Sequence, residues 1–436
     1  MGAESDEDAP PAERRRLWLA ILCTGALTGV LSVAFHAGLN GALALRERLT
    51  ETLRPSGPAG ALALMAACAA AVALAVWLTQ RFAPPAGGSG IQRVEGVQRG
   101  LFPMWPVRVI AVKFAGGILG IGAGLVLGRE GPTVQMAATI GHRIGERLRL
   151  SPPSRRILLV VGAGAGLAGA FNAPLAGTLF VAEELRAPFH PAIYLGTLLA
   201  AGVADLCLRA TIGPQAELSL AGVIAPPVDA LVAAALVGAL AGAAGALFNA
   251  SLLRTMAAAD VWRRRWPAWW LGLLLGAVLG GVAWFAPSLP GGGVTYAARA
   301  LDGSVSFRDA LWLLPASVAL TLASYSIGAP GGIFAPLLVI GAALGLVCHG
   351  AWLAVAATSA AGAPLLACAG MAGLFAGIVR SPFTGAVLLV EMTGSYALAL
   401  PLVFASLAAY FAAEALGSPP IYESLLELEL RNEWVE

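Results

Sequence analysis

The chain has 436 residues, 58% of them hydrophobic and 12% charged, with a formal net charge of +2; a soluble chain carries roughly 25% charge. That balance excludes a water-facing domain surface, and the small net charge offers no electrostatic footprint for nucleic acid. Between Leu311 and Ile421 the only Asp, Glu, Lys or Arg are Arg380, Glu391 and Glu414, as in a membrane-embedded chain.

In chain order, "MGAESDEDAPPAERRR" (1–16) is acidic, then basic, with no cleavage-site pattern before the first apolar run, and predicts a disordered cytoplasmic tail. Residues 17–215 then predict a first membrane repeat and 216–436 a second. Trp18–Leu45, Ala59–Leu78, Val228–Leu252 and Trp269–Ala286 approach or exceed the ~20 residues of one helical crossing. Thr133–Ile144, Ala173–Val181, Phe334–Leu344 and Pro382–Val390 are about half that length and bounded by glycine or proline. Such half-helices must end inside protein or a wet cavity, as the broken helices of transporters do. The basic clusters "ERRRL" and "WRRRW" read as cytoplasmic flanks. Five cysteines and four histidines are scattered singly, which gives no disulfide framework and implies neither a metal site nor a cofactor.

The halves resemble each other. "FNAPLAGTLFVAEE" lies on "VRSPFTGAVLLVEM" with Pro174 over Pro382 and Glu183 over Glu391, an offset of 208 residues. "GREGPTVQMAATIG" lies on "GIFAPLLVIGAALG" at an offset of 204. A diverged duplication of this kind predicts an all-α polytopic membrane protein whose two repeats pack with inverted topology around a site near the midplane.

Four segments, "AGGSGIQ", "GREGP", "GGIFAP" and "GSPPIYESL", put glycine or proline ahead of an apolar or amphipathic run and predict helix starts. The first amides of a helix lack internal partners and carry partial positive charge, so starts aimed at one point form an anion site without a full cation. Ser89 and Tyr422 supply hydroxyl donors there, and neutral donors suit an ion that must also leave. Glu130, at a helix start, can occupy the place of the anion; protonated, it loses that attraction and swings out. Arg129 reads as an anchor for the loop.

In this order the motifs resemble the CLC chloride channels and transporters, over Gly88 to Tyr422. The resemblance implies a homodimer in the lipid bilayer with one pore per subunit, multi-pass in the cell inner (plasma) membrane with both termini cytoplasmic. It also implies a member without the cytoplasmic nucleotide-sensing CBS pair. Carried over by motif, Ser89, Gly90, Ile91, Ile333, Phe334 and Tyr422 resemble the chloride-binding set, and Glu130 the external gating glutamate and proton carrier. Glu184 matches the inward-facing proton-transfer glutamate of the family's exchangers, with Glu183 beside it in support. Lys113 either draws anions toward the pore or pairs with a carboxylate. Chloride and protons are then the partners, and chloride/proton antiport the activity, not an enzyme reaction. Ser89 favours chloride, whereas Gln92, where the family's motif usually has proline, bears on selectivity. A passive CLC channel shares every binding residue and is separated only by Glu184. A rhomboid-like serine protease, from "GGSG" with His349 as base, leaves the other motifs unexplained.

Overall fold

The computed structural model describes residues 10–213, 218, 220, 226–287, 289–291, 294–355 and 361–433. Among these the fold is all helix, with two isolated backbone bridges and no sheet. The first half holds α1 (Pro11–Leu53), α2 (Gly57–Phe82), α3 (Ile91–Gln98), α4 (Arg108–Gly122), α5 (Glu130–Arg147), α6 (Pro152–Phe171), α7 (Pro174–Glu183) and α8 (Pro191–Thr211). The second holds α9 (Val228–Arg263), α10 (Trp269–Phe285), α11 (Val294–Leu301), α12 (Phe307–Ser326), α13 (Phe334–Val355), α14 (Ala363–Val379), α15 (Pro382–Thr393), α16 (Ala399–Ala415) and α17 (Ile421–Glu433).

Among the described residues, six helical stretches are long and apolar enough to cross a membrane, while α7, α10, α14 and α15 are apolar but shorter. Two expectations change. Residues 1–9 lie outside the described residues, but α1 already starts at Pro11, so the basic segment assigned to the tail forms its first turns; proline at the first helical position costs no hydrogen bond. The segment expected to end near Leu344 runs on to Val355, because nothing in "GLVCHGAWLAV" stops a helix. The repeat boundary placed between 215 and 216 lies outside the described residues.

The duplication is visible in the packing. α5 packs on α6 as α13 does on α14, α1 on α8 as α9 on α16, and α6 on α8 as α14 on α16. α6 and α14 form the centre of each half: residues 158–171 and 365–379 are all buried. In lipid, helices associate through close backbone approach, which small residues allow. Gly238 and Gly242 on α9 provide it, since a Cβ there would lie 2.6 and 2.8 Å from the Cα atoms of Ala405 and Ala409 on α16.

α7 and α15 disclose the symmetry operator. The Glu183 carboxylate, ending α7, accepts from the amides of Phe383 (3.0 Å) and Thr384 (2.6 Å) and from the Thr384 hydroxyl (2.6 Å) at the start of α15. Glu391, near the end of α15, accepts from the amides of Leu175 (3.0 Å) and Ala176 (2.8 Å) at the start of α7. Each helix caps the other's N-terminus, so the two run antiparallel about a two-fold axis perpendicular to them. Where these helices stand across a membrane, that axis lies in its plane, which is inverted topology.

Candidate functional site

The four predicted helix starts are α3, α5, α13 and α17, and the chain ties three of them together. The Gly88 amide donates to Ala329 O (3.1 Å) and the Gly331 amide to Gly88 O (3.1 Å). Gly128 and Gly332 exchange both backbone bonds, at 2.7 and 2.8 Å. Glycine is required at position 90, the N-cap of α3, where φ is +84°. The loop opening α3 is thus pinned to the loop opening α13, which is pinned to the loop opening α5. Gly131, in the first turn of α5, stands against Ser89: a Cβ there would lie 2.8 Å from the Ser89 Cα.

The first intrahelical bonds are made by the amides of Val94, Thr133, Leu337 and Ser424. The amides ahead of them have no carbonyl of their own helix to bind, and Pro132 and Pro336 remove one amide from α5 and α13 alike. Ser89, Ile91, Ile333, Phe334 and Tyr422 are all buried, and Gly90 lies among them. The hydroxyls of Ser89 and Tyr422 neighbour each other, and neither makes a hydrogen bond of good geometry among the described residues. Two neighbouring buried hydroxyls can bond each other once, which leaves one O–H free to donate to a further acceptor. Phe334 fixes the Tyr422 ring edge-on at a centroid distance of 5.8 Å and is itself held by Phe375 at 4.7 Å and Phe180 at 6.4 Å.

Lys113 pairs with no carboxylate among the described residues. Its Nζ, fully buried on α4, donates to Ser89 O at 2.8 Å and to Gln135 Oε1. The Gln135 amide in turn donates to Pro85 O at 3.0 Å. The lysine therefore positions the Ser89 loop from behind. Arg129 donates from Nε to Ala170 O at 3.0 Å and lies 2.7 Å from His36 Nε2, which fastens the start of α5 to the end of α6 and to α1.

Glu130 begins α5, is buried, and turns its carboxylate back over the bridged loops: a Cβ on Gly332 would lie 3.6 Å from its Oε2. Glu184 follows the last residue of α7; it is buried, and the Ser381 hydroxyl donates to its Oε2 at 3.0 Å. Tyr422 lies within electrostatic reach of both carboxylates. Glu183, one residue from Glu184, bonds the next turn of the same helix start, the Phe383 and Thr384 amides and the Thr384 hydroxyl, while Glu184 takes the hydroxyl of the N-cap residue Ser381. His349 lies on α13 and makes no hydrogen bond to Ser89 among the described residues, so no serine-activating pair exists there.

Several residues at the site escaped the sequence reading. Tyr325, on α12, receives the Ser89 amide at 3.4 Å. Glu95, buried on α3, pairs with Arg99 at 2.6 Å and lies near Glu184. Ser381 was signalled only by its place ahead of Pro382, the mate of Ala173 ahead of Pro174.

A family model described as "Voltage gated chloride channel" matches residues 71–414. The chain belongs to the CLC family. Among curated CLC proteins, the chain is 36% identical over 449 residues to the H(+)/Cl(-) exchange transporter ClcA of Klebsiella pneumoniae, covering 97% of this chain and 92% of that one. It is 37% identical over 424 residues to ClcA of Yersinia pseudotuberculosis, covering 94% and 87%. Among solved CLC structures, a slow cyanobacterial Cl-/H+ antiporter superposes with a TM-score of 0.90 at 36% identity, covering 95% of this chain and 98% of that one. A CLC-type fluoride/proton antiporter, with a TM-score of 0.79 at 24% identity and coverage of 95% and 98%, shares the fold.

Proposed function

We propose that this chain is a chloride/proton antiporter in which Glu130 is the outer gate and Glu184 the inner proton acceptor. The observation that carries this reading is the buried Tyr422 and Ser89 hydroxyl pair, placed among helix starts and within electrostatic reach of the Glu130 and Glu184 carboxylates. Chloride resting there receives neutral hydroxyl and amide donors only, which bind it without trapping it. The Glu130 carboxylate competes for the same amide field; when it takes a proton the competition ends and the path opens outward. Glu184, held by Ser381, passes protons from the inner side without standing in the chloride route, and the two routes meet at Glu130. The named activity of the ClcA relatives supports coupled exchange, and Glu184 argues against a passive channel of the same fold. The fluoride antiporter is a relative in fold only, and the serine at position 89 supports chloride as the cargo.

In this reading the chain lies in the cell inner membrane with both termini cytoplasmic. Glu13 on α1 accepts from the Ser151 amide (2.9 Å) and the Ser154 hydroxyl (3.0 Å), which joins the N-terminal basic cluster to the arginine-rich α5–α6 turn on one side. Repeats at 17–215 and 216–436 and a homodimer, each subunit with its own path, complete the reading. Liposomes loaded with chloride and followed by chloride and pH electrodes test it: chloride flux drives protons uphill in the opposite direction. Chloride flux with no proton movement under a valinomycin and potassium clamp refutes antiport.

A further inference from the structure

Gln92 stands where the family's first motif usually has proline, and the structure shows what the amide does. It is buried one turn beyond Ser89, and its Nε2 donates to Glu429 Oε1 on α17 at 2.9 Å. Arg93 Nε lies 3.0 Å from the other oxygen, Glu429 Oε2. Consecutive residues of α3 therefore hold both oxygens of one carboxylate on α17. Tyr422, Leu425, Leu426 and Glu429 follow the i, i+3, i+4, i+7 spacing of a single helix face. The face that presents the Tyr422 hydroxyl toward Ser89 is the face that presents Glu429 to Gln92.

The two ends of α17 are held differently. At its start, Ser418 O receives Arg380 Nη2 at 2.5 Å and Pro419 O receives Asn249 Nδ2 at 3.1 Å. Further along, the Arg186–Glu423 pair at 3.1 Å is substantially exposed, and exposed pairs contribute little. Leu426 meets α3 at Gly96, where a Cβ would lie 3.1 Å from its Cδ1. Among the described residues, the Glu429 carboxylate ties α3 to α17 by polar contacts from two consecutive residues. It borders a cavity of about 280 Å³ that Gly88, Gln92, Arg93, Asp260 and Arg263 also line and that reaches the loop carrying Ser89.

We propose that Gln92, Arg93 and Glu429 form a latch that docks α17 on α3 and sets the spacing of the Ser89 and Tyr422 hydroxyls at the inner end of the chloride path. Gln92 and Glu429 are then positioning residues for chloride binding and coupling. The inference rests on the antiport reading of the site for its coupling half alone. A proline at position 92 has no side-chain donor, so this latch belongs to the chain's departure from the usual motif.

Gln92→Glu sets a carboxylate against Glu429 and opens the latch, while Gln92→Glu with Glu429→Gln restores one hydrogen bond with donor and acceptor exchanged. Losing a hydrogen bond to a charged group shifts a docking equilibrium on the order of ten-fold. Gln92→Glu therefore weakens chloride binding by calorimetry to about that extent and lowers the protons moved per chloride, and the double variant, which regains the hydrogen bond but not the Arg93–Glu429 pair, recovers part of each. Wild-type affinity and coupling in Gln92→Glu overturn the latch, as does a double variant no better than Gln92→Glu alone. Gln92→Leu, which removes the donor at similar volume, gives the same loss if Gln92→Glu does not fold; wild-type values there overturn the latch equally. Should the wild-type protein move chloride without protons, antiport fails and the calorimetric comparison still decides the latch.

Discussion

Replacing Glu183 and Glu184 separately by glutamine puts two adjacent carboxylates to opposite tests. Glu183 accepts three hydrogen bonds at the start of α15, two from amides and one from the Thr384 hydroxyl. Glutamine keeps one acceptor oxygen, loses the charge that faces the helix dipole, and turns an NH₂ group toward a donor. A hydrogen bond to a charged group contributes about 1.5–3 kcal/mol and the dipole term about 0.3–1 kcal/mol, so Glu183→Gln costs about 2–3 kcal/mol. Glu391→Gln, with two amide bonds in the mirrored cap, costs somewhat less. Glu184→Gln keeps an acceptor for Ser381 and removes the ability to carry a proton. Thermal unfolding in detergent is expected to show lower midpoints for Glu183→Gln and Glu391→Gln and a near wild-type midpoint for Glu184→Gln. Liposome recordings are expected to show proton coupling kept in the first two and lost in the third, with chloride flux remaining. Loss of coupling in Glu183→Gln at unchanged stability, with coupling intact in Glu184→Gln, would refute the assignment of cap and proton acceptor.

Glu130→Gln mimics the protonated gate and leaves chloride flux that no longer depends on pH or moves protons; retained proton pumping counts against Glu130 as carrier. Tyr422→Ala removes a buried donor to a charged ligand, worth roughly 1.5–3 kcal/mol, so chloride affinity by calorimetry falls about ten-fold or more and coupling loosens. Unchanged affinity would assign the tyrosine to packing alone. Lys113→Met removes the bonds to Ser89 O and Gln135 while keeping the stem volume, so both stability and chloride affinity fall; reduced chloride flux at unchanged affinity would instead favour an electrostatic attraction of anions.

The helix starts were legible because glycine and proline act locally: α3, α5, α13 and α17 begin where "GSGI", "GREGP", "GGIFAP" and "GSPPI" place them. The repeat was legible through Pro174, Pro382, Glu183 and Glu391, and the reciprocal caps give a physical reason for that register. Where α13 ends was not legible, since its later half is apolar with no break and length alone does not divide it. Nor were the partners of Lys113 and Gln92. Each meets a group far along the chain, Ser89 O and Gln135 for one and Glu429 for the other, and no spacing rule links residues 92 and 429.

Among the described residues, several buried or half-buried cations are turned to backbone carbonyls rather than to the proposed anion path. Lys113 is directed to Ser89 O, Arg129 to Ala170 O, Arg46 to Pro290 O and Arg380 to Tyr410 O and Ser418 O. Each faces a backbone carbonyl, and three of these carbonyls belong to segments next to a helix start or a helix end at the site. Arg380 sits at φ +72° where the repeat mate Asn172 has +58°, so the same left-handed stop ends α14 and α6 while only one copy carries a guanidinium. The cations thus hold the loops in position, and in the proposed site those loops are what offers amides and hydroxyls to the ion. A lysine aimed at the ion itself would deepen the well and slow release, whereas one bonded to the Ser89 carbonyl holds the hydroxyl in place and lends its field at one remove.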